Sequence, residues 1–354
     1  APVRRDAVTE AVRRFAEPAA APALALDVDR LRATIAAYRA GDIAGGDAQA
    51  GMLSDPTQRL AAEWAAIRLQ PRRVGMARLR AFDAAHPDWP SGAWIERRVE
   101  ESLYGDRKDA QTVAAAFAHR APETTHGEAA LARAELALGR QEAAAARVRR
   151  LWREEDLSGF LEQALQREFG SLLTSADHKA RSDRHFYDGK HSASLAAAKE
   201  AGADILKLAT ARAAAGTKRF DALVAALPKE AQTDPTLSFA RGQALSNAGK
   251  YAEAAKALLA APADPAALID GEAWWRERRK AARKLLDGGG AATAYALAAA
   301  GGAASGASKV ESAFMAGWIA LRHLSGSRED ALKARAHFEA AAAAATTPTS
   351  TARA

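Results

Sequence analysis

A chain of 354 residues with 49% apolar and 26% charged side chains has the balance of a folded protein, which excludes wholesale disorder. It has no cysteine, which excludes disulfide frameworks, thiolate zinc sites and cysteine nucleophiles, and no apolar run reaches the ~20 residues of a membrane span. The net charge of +7, with a pI near 9.7, favours anionic partners. The positive charges are scattered, and no run of aromatic and basic residues suits base stacking, so nucleic acid is not expected.

Residues 1–28 read as an amphipathic helix followed by a flexible stretch from Pro18 to Ala23. An Ala1 with no apolar leader is what a secreted chain trimmed of its signal peptide shows, and equally what a shortened chain shows. From 29 to 345 the pattern is helical. Alanine dominates, Val, Ile and Thr are sparse, and apolar residues recur at spacings of three and four. Breakers fall at short intervals, at Asp55-Pro56, Ala121-Pro122, Pro228, Asp234-Pro235, Asp264-Pro265, Gly288 to Gly290 and Pro348. Helices of this length and punctuation predict an all-α chain, an α-solenoid of antiparallel helix pairs.

Internal repeats support that reading. In 239–265, Gly242 and Gly249 stand seven apart, Tyr251 follows, and Ala254, Leu258 and Ala261 continue a second helix, as in a tetratricopeptide-type hairpin. Small residues at 242 and 254 predict a close approach of the two helices. Ala132, Gly139, Ala144 and Val148 hold similar intervals. A third hairpin is expected from Phe314 to Ala345, turning at Ser325-Gly326-Ser327, and Thr346-Thr347-Pro348 stops its last helix.

Chemistry-bearing motifs are few. The eight histidines form no HExxH, and no carboxylate completes a metal set around His178 and His185, which points to surface or capping histidines. No phosphate-binding loop or nucleophile elbow is present, and Gly288 to Gly290 reads as a helix stop. No cofactor or metal is expected. The charge-dense run Asp177 to Arg184 reads as a helix start with a salt-bridged polar face, with an anion site as the alternative. Trp274-Trp275, among Glu272, Arg276, Glu277, Arg278 and Arg279, reads as packing between helices, with stacking on a sugar ring as the alternative.

Several segments taken in order carry a family resemblance. They are Gly127 to Ala132, Leu151-Trp152-Arg153, Phe169-Gly170 with Leu173 to Arg181 and Arg184, Gly271 to Arg279, Lys284 to Asp287, Phe314 to Arg322, His337-Phe338 and Thr347-Pro348. Together they resemble the N-terminal helical superdomain of soluble lytic murein transglycosylases of the alphaproteobacterial type, weakest before about residue 85. The resemblance implies a periplasmic protein whose helices form a U- or ring-shaped superhelix. A short linker domain and a lysozyme-like catalytic domain would follow. That domain cuts the MurNAc–GlcNAc bond of peptidoglycan with a single Glu, and the sugar's C6 hydroxyl attacks to give a 1,6-anhydro product. The implied partners are peptidoglycan glycan strands and other cell-wall enzymes.

The family's catalytic Glu lies in an E-S-x-F stretch followed by G-L-M-Q. Val310-Glu311-Ser312-Ala313-Phe314 mimics the first motif, but no G-L-M-Q follows, and only 43 residues remain after Glu311. A lysozyme-like domain of ~100–150 residues does not fit in that space. Glu311 is therefore read as a decoy at the start of a helix that buries Phe314, Trp318 and Leu321, and no catalytic residue is expected in this chain. The domain plan is 1–28 as an N-terminal helix and flexible segment, 29–345 as the superhelical domain and 346–354 as the beginning of the linker domain. The expected role is to position a catalytic domain and guide glycan strands. The alternative is a stand-alone helical-repeat adaptor that binds a partner protein.

Overall fold

The structure, a computed structural model, describes residues 27–261, 268–302, 305–324 and 326–353. The N-terminal helix expected over 1–28 lies almost wholly outside the described residues, as do Asp264-Pro265 and Ser325. The described residues are helical throughout, in consecutive antiparallel pairs, with no strand among them. They fall into two compact units that divide between Arg147 and Val148.

The first unit holds α1 (Val28–Ala40), α2 (Ile43–Gly51), α3 (Pro56–Leu69), α4 (Pro71–Ala85), α5 (Gly92–Gly105), α6 (Ala110–Ala116) and α7 (Thr125–Ala137). The division falls inside α8 (Gln141–Glu154). Short polar residues start these helices. Asp27, Asp42, Asp55, Asp109 and Thr124 each accept a first-turn N–H, and Pro56 and Pro71 occupy first helical positions. The breaker Asp55-Pro56 is thus a helix beginning. One core gathers Ile67, Leu79, Phe82, Ile95 and Val99 under Trp64, Trp89 and Trp94; another gathers Tyr38, Leu53, Ala62 and Ala66.

Glu100 is fully buried in this unit and takes N–H from Glu123 and Thr124, the hydroxyl of Thr124 and the guanidinium of Arg120. A Cβ at Gly127 would stand 2.4 Å from its carboxylate oxygen. That contact explains the glycine that opens the Gly127 to Ala132 segment.

The second unit continues with α9 (Gly159–Phe169), a 3-10 turn at Gly170–Leu172, α10 (Ser175–Tyr187), α11 (His191–Ala201), α12 (Ala203–Ala213), α13 (Phe220–Ala225), α14 (Lys229–Gln232), α15 (Pro235–Asn247) and α16 (Tyr251–Leu259). It ends with α17 (Gly271–Asp287), α18 (Ala291–Ala299), α19 (Gly306–His323), α20 (Arg328–Ala344) and α21 (Pro348–Arg353). Pro235 and Pro348 again open helices. The main core is Phe186, Phe239, Trp274 and Trp275 with the alanines of α17 to α19. Gly242 sits where expected: a Cβ there would meet Leu258 at 2.6 Å and lie 3.6 Å from the Ala254 carbonyl.

One turn recurs. At Gly41, Gly139, Gly189, Gly249 and Gly289 the backbone is left-handed, and the next residue's N–H bonds a carbonyl five residues back. The closing bonds are Asp42 to Ala37, Arg140 to Glu135, Lys190 to His185, Lys250 to Leu245 and Gly290 to Leu285, at 2.7 to 3.0 Å. This closure takes up carbonyls left unpaired at a helix end, and its positive φ suits glycine. The repeat reading caught Gly139 and Gly249. The hairpin at Gly189 has the same geometry without the flanking residue pattern.

Candidate functional site

The charged run Asp177 to Arg184 does not form a solvated face. Thr174 and Asp177 cap α10 reciprocally, so the helix runs unbroken, and Asp177, His178, Arg181, Ser182 and Asp183 are buried along it. Arg181 donates to the Glu155 carbonyl at 2.8 Å and to the Glu162 carboxylate at 2.6 Å. Lys179 reaches Asp183 at 2.6 Å and Asp234 at 2.9 Å. Burial pulls the Lys179 ammonium down, but the charges of Asp183 and Asp234 outweigh it and hold it above the usual lysine value. The reading as a helix start with a salt-bridged face holds, and its salt bridges form a buried ionic network tying α10 to α9, α12 and α15. Its charges are matched within it, Arg153 on Asp177, Lys179 on Asp183 and Asp234, Arg181 on Glu162 and Arg212 on Asp183, which leaves the anion site without support.

His178 and His185, expected at the surface, are also buried. They stand seven residues apart on an unbroken helix and so share one side of it. Among the described residues no group of three or more potential ligands is placed to hold a metal ion.

Trp274 and Trp275 are buried in packing. Trp274 donates its indole N–H to the Tyr187 hydroxyl at 3.0 Å and lies 5.2 Å from the Phe239 ring. Trp275 donates to Glu311 at 3.1 Å. Neither ring face is open to a sugar. Buried Arg278 donates to the carbonyls of Leu258, Ala300 and Gly301 at 3.0 to 3.2 Å and binds the helix ends around it.

Glu311 lies in the second turn of α19, not at its start. The start is held by Ser305 and by Glu272, which accepts the Ser305 N–H at 2.6 Å and the Ser308 hydroxyl at 2.7 Å. Glu311 instead receives Arg279 at 2.6 Å and Arg283 at 3.4 Å, besides the Trp275 indole. Both of its oxygens are engaged as acceptors.

Beside it opens a groove of about 1050 Å³, lined by Glu311, Arg283, Lys284, Phe314, Trp318 and His323 among others. Phe314 and Trp318 are each 40% exposed, and Leu321 is exposed beyond them. These three were expected in the core. The core side of α19 is instead Met315, Ala316, Ile319 and Ala320. Gly317 explains why: a Cβ there would stand 3.1 Å from the Ala334 carbonyl and from the Phe338 ring. The narrow stripe packs, and the bulky one is turned out. The Trp318 ring lies 4.6 Å from that of His323.

No family model, curated protein or solved structure matches the chain. No helix among the described residues is long and apolar enough to cross a membrane.

Proposed function

We propose that this chain is the superhelical, non-catalytic region of a periplasmic peptidoglycan lytic transglycosylase, and that the α19 groove holds a glycan strand. The resemblance of its ordered segments sets the class. The consecutive antiparallel pairs support the solenoid reading, and a U- or ring-shaped superhelix belongs to the same proposal. The observation that carries the site is Phe314 and Trp318, half-exposed on one groove wall with Arg283 and Lys284 in the same lining. Sugar rings present apolar C–H faces that lie against aromatic rings, and cationic side chains hold the carboxylates borne on peptidoglycan. Glu311 serves this arrangement by fixing Arg279 and Arg283. The 1,6-anhydro chemistry belongs to the catalytic domain of such an enzyme, and no residue here carries it.

The test is co-sedimentation with insoluble peptidoglycan. The wild-type chain binds at low salt and is released as salt screens the attraction. The double variant Phe314→Ala, Trp318→Ala binds at least about fivefold more weakly, as expected from the loss of two ring contacts. Equal binding by the two proteins overturns the groove assignment. Incubation yields no anhydro-muropeptides by mass spectrometry; their release by this chain, abolished by Glu311→Gln, overturns the reading of Glu311. A second reading rests on the spacing of Phe314, Trp318 and Leu321, which also matches a partner protein's amphipathic helix lying in the groove. Absence of peptidoglycan binding favours that adaptor role.

A further inference from the structure

Arginines that lie far apart in the sequence converge on one indole in the first unit. Arg68 of α3 holds its guanidinium 4.4 Å from the Trp94 ring of α5 and 5.8 Å from the Trp64 ring. Arg98, one turn along α5, stands 5.5 Å from the same Trp94 ring. Arg72 lies in the first turn of α4. Its charge, with those of Arg98 and Glu101, acts on the ring of His126 on α7, so these side chains share one neighbourhood. Trp64, Trp94 and His126 are half-buried, and Arg68 and Arg72 are exposed.

Charge here is not balanced. Arg98 pairs with Glu101 at 2.7 Å. The other acids on the same helices are taken elsewhere: Glu63 by Arg78, and Glu96 and Glu100 by Arg120. Arg68 and Arg72 have no hydrogen-bond or ion-pair partner among the described residues, which leaves three guanidiniums to one acid. Burial holds the His126 ring below the ordinary histidine value, against the charge of Glu101 and with those of Arg72 and Arg98, so at neutral pH the ring adds no further charge.

The arrangement favours one kind of ligand. A guanidinium laid on an indole is held in place without a carboxylate, and its N–H groups stay at its edge. Such an edge matches two oxygens of an oxyanion at once. An arginine already ordered by stacking loses little more freedom when the oxyanion arrives. A lone carboxylate brings one charge and two oxygens. A phosphate monoester brings nearly two charges and three oxygens at neutral pH, which suits the unmatched pair Arg68 and Arg72 beside Arg98.

We propose that the surface formed by Arg68, Arg72, Arg98 and Trp94 is a binding site for a phosphate monoester. The site is open to solvent, so its affinity falls as salt rises. The assignment does not rest on peptidoglycan binding.

The test titrates the full chain with glycerol 3-phosphate in low-salt buffer at pH 7.5, followed by calorimetry and phosphorus NMR. The ester binds, and acetate binds at least about tenfold more weakly. Arg68→Gln and Arg72→Gln, both at exposed positions, each weaken the ester about fivefold. Arg68→Lys keeps the charge but loses the planar fork, and also weakens it. Arg80→Gln, at another exposed arginine of α4, leaves binding unchanged, as does the groove variant Phe314→Ala, Trp318→Ala. Vesicles containing phosphatidic acid carry the same group on a lipid. Tighter binding to them than to the soluble ester, lost in the same arginine variants, places the phosphate on a membrane surface and upholds the proposal. Tighter binding of a single-stranded oligonucleotide than of either monoester overturns it in favour of a phosphodiester polymer. Absence of monoester binding overturns it, and so does binding that survives Arg68→Gln combined with Arg72→Gln.

Discussion

Arg212 of α12 and Asp183 of α10 form an ion pair sealed from solvent, with side chains 1% and 0% exposed. The same guanidinium donates to the hydroxyls of Ser182 and Ser194, at 2.5 and 2.9 Å, and stands 4.8 Å from the Phe186 ring. One side chain thus ties α10, α11 and α12 together. Desolvating both charges opposes the attraction between them, so the pair adds little net stability over an apolar substitute. Removing one partner alone is a different matter.

Arg212→Met therefore costs about 3–5 kcal/mol, because Asp183 stays buried with only Lys179 against it. Arg212→Met combined with Asp183→Leu recovers part of that loss. Urea denaturation of the wild type and of the single and double variants measures both. A single variant as stable as the wild type sinks the account.

Gly242→Leu overpacks the seam between α15 and α16. Its Cβ would lie 2.6 Å from Leu258 Cγ and 2.7 Å from Leu258 Cδ2, at a buried position. The expected loss is ~1–3 kcal/mol, read as a lower melting temperature. Gly242→Leu, Leu258→Ala restores much of it. If the pair behaves additively, the two residues do not share the space assigned to them.

Stability falls on acidification, in two stages. The His178 ring titrates below its ordinary 6.5 in the folded chain, so the unfolded state takes the proton first and stability begins to fall as pH drops through 6.5. Glu162 is held near 2 against an ordinary 4.5, so its contribution is complete above 4.5 and is lost as pH falls toward 2. With allowance for partial exposure, that second stage is worth roughly 1–3 kcal/mol. Urea midpoints taken from pH 7.5 down to pH 3 follow both stages. Glu162→Gln flattens the slope below pH 4.5; an unchanged slope in that variant contradicts the assignment.

Much of the helical plan was legible because it is written locally. Asp55-Pro56 and Asp234-Pro235 announce helix starts by cap chemistry, and Gly288 to Gly290 ends α17 as read. Gly242 showed its role through its spacing from Gly249. What escaped depends on choices between distant elements. On α19, positions 314, 318 and 321 and positions 315, 316, 319 and 320 both make apolar stripes of helical period. Periodicity does not rank them; Gly317 against the Ala334 carbonyl does. The cavity of about 640 Å³ among α8, α9, α10 and α11 escaped for a similar reason: Trp152, Gln166, His178 and His185 are unremarkable in their own segments and line one space only when the helices that carry them converge.

Consecutive pairing sets the pace of folding. Each helix packs mainly on the next one or two in the chain, as α10 does on α11, α15 on α16 and α19 on α20. Contacts between near neighbours close short loops, which cost little chain entropy, and chains built from them fold quickly for their size. The glycine turns at Gly189 and Gly249 shorten those loops further. The buried tie of Arg212 joins three helices only about thirty residues apart in sequence, so even the costliest polar cluster can assemble early. A chain made this way gains its order from neighbour to neighbour, and its cooperativity reaches only as far as adjoining helices share a core.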